Sequence, residues 1–234
     1  MGNVIETLVT EVQSDEAERR PLLSDSQFGG RNNRSAIDAA AIMVDRADSL
    51  LKKDNVTLAL LMDIKAAFRN VSRGRLNHAL TAKYTDGDLI RRTESILSER
   101  TVEMVIEGNV LHSHHVEAGV LQGSPASPIL SAIDTAGLRK WVEERVEAGG
   151  LSFADNLGCV ANRKNVNRVV EKLEACVAES IVWASRRDLQ FNTAKTEAAL
   201  FTHWRDHKKH LRLKLTAKIK VGNGFVQFNQ DATQ

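Results

Sequence analysis

Apolar residues recur along the chain at two spacings, and the switch from one to the other marks out its elements. Val4, Ile5, Leu8, Val9 and Val12 fall at helical intervals, and a charged segment carries this first helix to Arg20-Pro21. A polar, glycine-containing loop follows, Gln27-Phe28-Gly29-Gly30-Arg31-Asn32-Asn33-Arg34. Ser35 with Asp38 three residues later reads as a capping-box start. The helix it opens places Ile37, Ala40, Ala41, Val44 and Leu51 on one face. Val56-Thr57-Leu58-Ala59-Leu60-Leu61-Met62 is a short apolar run ending at Asp63, the pattern of a buried central strand. A polar-to-helical stretch then covers Leu76 to Leu97.

Strand periodicity returns at Val102, Met104 and Ile106, turns at Glu107-Gly108-Asn109 and resumes at Val110-Leu111, which predicts a hairpin. The Gly/Ser/Pro loop from Gly119 to Pro128 feeds a helix beginning near Ile129. Leu151-Ser152-Phe153 and Leu157-Gly158-Cys159-Val160 predict a second hairpin turning at Ala154-Asp155-Asn156. Val169, Val170, Leu173, Cys176, Val177 and Ile181 mark an amphipathic helix. Phe191 to Thr202 and Ile219 to Phe228 read as further strands. Hairpin-linked strands mixed with helices predict an α+β layered domain and argue against a parallel doubly wound sheet.

Composition narrows the class without naming it. The chain has 234 residues, 42% hydrophobic and 26% charged, enough for one large domain or two small ones with a real core. With 32 Lys+Arg against 30 Asp+Glu the net charge is only +2, so nucleic-acid binding has to be sought in local charge. Cys159 and Cys176 form no CxxC pair and cannot build a disulfide framework. No apolar run approaches the roughly 18 residues that span a bilayer. The N-terminus lacks the basic and apolar regions of a signal peptide. Glu6 stands where a myristoylation signal needs Ser or Thr. The sequence is therefore expected to be soluble and intracellular, with no membrane partner.

Two aspartates fall where chemistry could use them, Asp63 closing an apolar strand and Asp155 at a hairpin tip. Carboxylates on strand ends can converge on one hard cation, and Mg²⁺ takes one or two of them together with substrate phosphates. An isolated strand-end Asp is more often a solvated turn residue, but these two lie within an ordered series. Asp63-Ile64-Lys65-Ala66-Ala67-Phe68 has the form D-x-x-x-x-F/Y. Gly119-Val120-Leu121-Gln122-Gly123-Ser124-Pro125-Ala126-Ser127-Pro128 has the form G-V-x-Q-G-S-P-x-S-P. Phe153-Ala154-Asp155-Asn156 stands where F/Y-A-D-D would. Leu189-Gln190-Phe191-Asn192 with Lys195-Thr196-Glu197 makes a fourth motif, and Gln27-Phe28-Gly29-Gly30-Arg31 with Arg34-Ser35 a fifth. In this order and spacing they resemble the reverse transcriptases of non-LTR retrotransposons, of the fungal type.

That resemblance implies a right-hand polymerase palm, an antiparallel sheet with helices packed on one face, in the α+β class. It implies a partial fingers segment over residues 1–55 and a palm over residues 56–234 that ends at the start of the primer grip, with the thumb absent. It implies RNA-directed DNA synthesis from an RNA template, a DNA primer and deoxynucleoside triphosphates. Two Mg²⁺ (or Mn²⁺) ions would be held by Asp63 and Asp155, with Asn156 as the third member of the catalytic group. Phe68, Gln122, Gly123 and Lys195 would face the nucleotide. Arg31 and Arg34, with Lys208, Lys209 and Arg212 from the basic stretch 205–220, would contact nucleic acid. The rest of the polyprotein is expected to be missing.

Asn156 is the departure from the pattern. An amide oxygen can ligate a cation but brings no negative charge, so at least one ion should be held more weakly and synthesis impaired. Two other readings follow, a non-catalytic polymerase-like module that binds nucleic acid and a relic fragment. The histidines His112, His114 and His115, and His203 with His207, lack the further ligands of a zinc site.

Overall fold

The computed structural model describes residues 2–20, 23–51, 56–83, 87–98, 100–107, 109–116, 118–121, 123–145, 149–201 and 218–227. Two compact units divide the chain, Met1–Leu23 with Ala66–Thr135, and Ser24–Lys65 with Ala136–Gln234.

The second unit is built on a four-stranded antiparallel sheet. Its strands are β1 (Val56–Ile64), β4 (Gly149–Phe153), β5 (Asn156–Arg163) and β6 (Phe191–Phe201), in the order β4-β5-β1-β6. The apolar run expected to be a central strand is β1, flanked on both sides. Register pairs Leu58 with Ala161, Leu60 with Cys159 and Met62 with Leu157, all buried. Since side chains alternate between faces, Ala59 and Val160 point the other way. There they meet Phe28, Ala39, Met43 and Leu151 in one cluster.

Helix α2 (Ala36–Leu51) covers the Ala59 face through Ala39 and Met43, with Ala47 also buried. Ile37, Ala40, Ala41 and Val44, the face expected from the sequence, are exposed. Helix α6 (Val166–Ser185) contacts β5 and β1. The Cys159 thiol of β5 lies against Cys176 of α6, which puts α6 on the Leu60 face; this neighbour together with burial pushes the thiol up. The expected antiparallel α+β sheet is thus present, with helical cover on two faces rather than one. The back of α6 takes α5 (Ser127–Arg145): Trp141 Nε1 donates to Glu179 Oε2 at 3.0 Å, and an added Cβ on Gly137 would lie 3.6 Å from Nε1 of the buried Trp183.

The capping box that opens α2 is formed. Ser35 N donates to Asp38 Oδ2 at 2.8 Å and Asp38 N to Ser35 Oγ at 3.1 Å, and these bonds hold the Asp38 carboxyl below its ordinary value. Past β6 the unit resumes with a small hairpin, β7 (Lys218–Val221) and β8 (Gly224–Gln227). Thr202 and Phe228, expected strand ends, lie outside the described residues, as do His203 and His207.

The first unit contains α1 (Gly2–Arg19), a 3-10 turn (Ala67–Asn70), α3 (Arg73–Lys83), α4 (Gly87–Leu97) and the hairpin of β2 (Thr101–Ile106) with β3 (Asn109–His115). The helical stretch expected from Leu76 is two helices. Arg75 of α3 forks onto Asp134, beyond the first turn of α5, with Nε to Oδ1 at 3.1 Å and Nη2 to Oδ2 at 3.0 Å. The Asp134 side chain is only 2% exposed. Arg75→Met leaves that carboxylate buried without its bidentate partner, so urea unfolding should show a loss of about 3–5 kcal/mol.

Candidate catalytic site

The β1–β5 ladder fixes what stands beside Asp63. A slip of one residue would turn Leu58, Leu60 and Met62 to the opposite face, so the apolar run holds the register. That register pairs Asp63 with Asn156 across neighbouring strands. Asp63 shares its face with Ala59 and Leu61, and Leu61 is already 37% exposed, so the face opens to solvent as the strand reaches its end.

Asp155 sits beside this pair, in the two-residue turn between β4 and β5. Its carbonyl accepts from Ile64 N at 2.9 Å, and its Oδ1 lies 3.4 Å from Asn156 Nδ2. Burial pushes the half-buried Asp155 carboxyl above its ordinary 3.8; a backbone hydrogen bond opposes the rise, the Asp63 charge adds to it, and the Lys195 charge opposes it. Folding therefore favours the un-ionised acid. That contribution is full below 3.8 and is lost as pH rises through the higher folded value. Asp155→Asn should accordingly raise stability near neutral pH and flatten its dependence on pH above about 4, measured by urea unfolding across the acid range.

Lys195 reaches the same cluster from β6, its Nζ 3.7 Å from Asp63 Oδ2, with side-chain exposures of 69% and 13%. Asp63, the Asp155-Asn156 pair and Lys195 lie on three separate segments of the sequence, and the sheet brings all four residues together.

A further contributor was not read from the sequence. The loop from Gln27 to Gly30 lies against the β4–β5 turn: Phe28 N donates to Ser152 O at 2.8 Å and Ser152 N to Ser26 O at 2.9 Å. The Gln27 side chain accepts from Ser152 Oγ and donates to Gly29 O. Ala154, the first turn residue, has φ 51°, and Gly29 rests directly on its backbone. The Gly-Gly step within this motif was the one available signal for so close an approach.

Arg31 and Arg34 brace this loop. Arg31 Nη1 donates to Ser24 O at 2.8 Å, Arg34 Nη1 donates to Asp25 O, and the Arg34 guanidinium lies 5.3 Å from the Phe28 ring centroid.

The other nucleotide-facing candidates belong to the first unit. Phe68 is half-buried in the 3-10 turn. Val120 N donates to Phe68 O and Gly119 N to Val71 O, both at 2.8 Å, so the Gly119 loop runs alongside the Phe68 turn. Gly119 has φ 83°, and a Cβ there would sit 2.8 Å from Arg69 O. Gly123, with φ 97°, is exposed with nothing within 4 Å of a built Cβ. Gln122, Lys208, Lys209 and Arg212 lie outside the described residues.

Among the described residues no group of three or more His, Cys, Asp or Glu is placed to hold a metal ion. Two carboxylates with an amide oxygen beside them nonetheless suit Mg²⁺, which completes its shell with water and substrate phosphates. No helix among the described residues is long and apolar enough to cross a membrane.

An antiparallel sheet with a carboxylate at the end of its central strand and another in the adjoining turn defines the palm of a nucleic-acid polymerase. The chain belongs to the reverse transcriptase (RNA-dependent DNA polymerase) family, whose pattern it matches over residues 4–221. Among solved structures it is similar to an apo telomerase from Candida tropicalis lacking its C-terminal domain, at TM-score 0.60 and 14% identity, over 85% of this chain and 40% of that one. It is also similar to a Candida albicans telomerase in complex with a fragment of telomeric RNA, at TM-score 0.60 and 14% identity, over 86% and 36%. At such identity the likeness is one of fold, and the chain spans two fifths or less of the telomerase chains.

Proposed function

We propose that this chain is the RNA-directed DNA polymerase core of a non-LTR retrotransposon of the fungal type, working on an RNA template, a DNA primer and deoxynucleoside triphosphates. The observation that carries the reading is Asp63, Asp155 and Asn156 meeting at one end of the sheet, with Lys195 against Asp63. Residues 1–55 are a partial fingers segment in this reading, and residues 56–234 are the palm, with β7–β8 leading into the primer grip.

Asp63 and Asp155 are the carboxylates that would hold Mg²⁺ or Mn²⁺. Bound there, divalent cations supply charge neutralisation for the attacking and leaving oxygens of a phosphoryl transfer. The protein's share is positioning and fixed charge. Lys195 places an ammonium beside the carboxylates where a triphosphate would arrive. By the family resemblance, Phe68 would take the nucleotide's sugar, and Gln122 and Gly123 its base pair. Arg31, Arg34, Lys208, Lys209 and Arg212 supply positive charge for the nucleic-acid backbone, an interaction that weakens with salt.

Primer extension on an RNA template with Mg²⁺ or Mn²⁺ tests this reading. Asp63→Ala should lower extension on the order of 100-fold or more, as removal of a transition-state charge partner does. Extension that is indifferent to Asp63 would sink it. Asn156 favours a second reading, a polymerase-like module that binds primed template without extending it. Salt-sensitive retention on primed template with no synthesis, even in Asn156→Asp, would favour that module.

A further inference from the structure

The ladder between β1 and β6 breaks at the candidate site. From Leu61 to Asp63 β1 advances two residues, while β6 advances five between their partners Glu197 and Asn192. The additional residues must leave the ladder. Ile64 stays paired with Phe191 beyond the break, and Lys65 N donates to Gln190 O at 2.7 Å, so both ends of the excursion are pinned.

Within it, Thr196 Oγ1 donates to the carbonyl of Asn192 at 3.0 Å. In a regular strand residues four apart lie about 13 Å apart, so this bond exists only because the chain coils back on itself. Thr196 is 6% exposed, while Ala194 and Lys195 are on the surface. The hydroxyl therefore ties the excursion from its inner side and leaves Lys195 outermost, with Nζ 3.7 Å from Asp63 Oδ2.

We propose that Thr196 is a positioning residue: its hydroxyl bond to Asn192 sets the shape of the β6 excursion and thereby holds the Lys195 ammonium against Asp63. This rests on the reading of Asp63 and Asp155 as a cation site. Since both ends are pinned, the excursion keeps its length whatever occupies position 196. What the hydroxyl decides is where its outermost side chain points.

The test uses the full chain and Mn²⁺ alone, with free Mn²⁺ followed by electron paramagnetic resonance. An ammonium beside Asp63 competes with an incoming cation, so Lys195→Met should tighten Mn²⁺ binding about threefold, the scale of a partly exposed ion pair. Thr196→Val should tighten it by a similar factor, the double variant should add nothing further, and Thr196→Ser should match the parent. The sign separates positioning from plain structural damage, which loosens a cation site. Mn²⁺ binding that weakens or stays unchanged in Thr196→Val, while Lys195→Met tightens it, overturns the Thr196 proposal alone. Mn²⁺ uptake indifferent to Asp63→Ala overturns the cation site beneath it.

Discussion

Asn156→Asp should tighten divalent-cation binding and raise primer extension, while lowering the stability of the cation-free protein. The three effects share one cause. Asn156 is the ladder partner of Asp63, and its amide nitrogen lies 3.4 Å from Asp155 Oδ1. A carboxylate at that position would face one acid directly and adjoin another. Without a cation, like charges directly opposite in a sheet cost about 0.2–1 kcal/mol. Asp155, already held above its ordinary pKa by burial and by Asp63, would be harder still to ionise. With a cation the same crowding becomes a third anionic donor, expected to raise affinity by about 10- to 100-fold, the range over which supporting groups tune metal sites. Calorimetric titration with Mn²⁺ and urea unfolding with and without the ion measure both sides. Unchanged affinity in Asn156→Asp would mean that position 156 does not reach the cation.

Gly29→Ala should be the most damaging single methyl in the second unit. A Cβ at Gly29 would lie 2.0 Å from Ala154 N and 2.6 Å from Ala154 Cα. Both are backbone atoms of a tight turn already in the left-handed region, so no flexible side chain can yield. Either the Gln27–Gly30 loop lifts off, losing its hydrogen bonds to Ser152, or the turn moves and takes Asp155 with it. Overpacking of this kind costs about 1–3 kcal/mol, occasionally more. The effect should show in urea unfolding and again as weaker Mn²⁺ binding. A variant as stable as the parent would mean that the loop does not rest on the turn.

Local signals made much of the fold legible. The β1 run, the two hairpins, the Ser35–Asp38 cap and the amphipathic α6 each rest on a periodicity or cap within a short window. Each is present, although Asn109 and Asn156, read as turn residues, open β3 and β5. The break in β6 was not legible, because its cause is a mismatch between two strands and neither shows it alone. In hindsight the polar run Asn192-Thr193-Ala194-Lys195-Thr196 interrupts the strand alternation. The second helical cover of the sheet was equally hidden. A strand buried on both faces reads as continuous apolar sequence whichever helices cover it.

The sequence by itself determined which residues could do chemistry, since type, order and spacing singled out Asp63, Asp155, Asn156 and Lys195. The partner of Asp63 was left to the sheet: a run apolar on both faces does not mark which strand lies beside it, and Asn156 is that partner only in the folded ladder. Only the tertiary structure decided that the Gln27–Gly30 loop buttresses the Asp155 turn, that Arg31 and Arg34 brace that loop, and that β6 coils to present Lys195. The first of these joins segments more than a hundred residues apart, Gln27 and Ser152; the others are local bonds whose shape depends on what the loop and strand lie against. Side-chain patterning fixes which face a residue takes; which distant backbone lies against it is settled by packing.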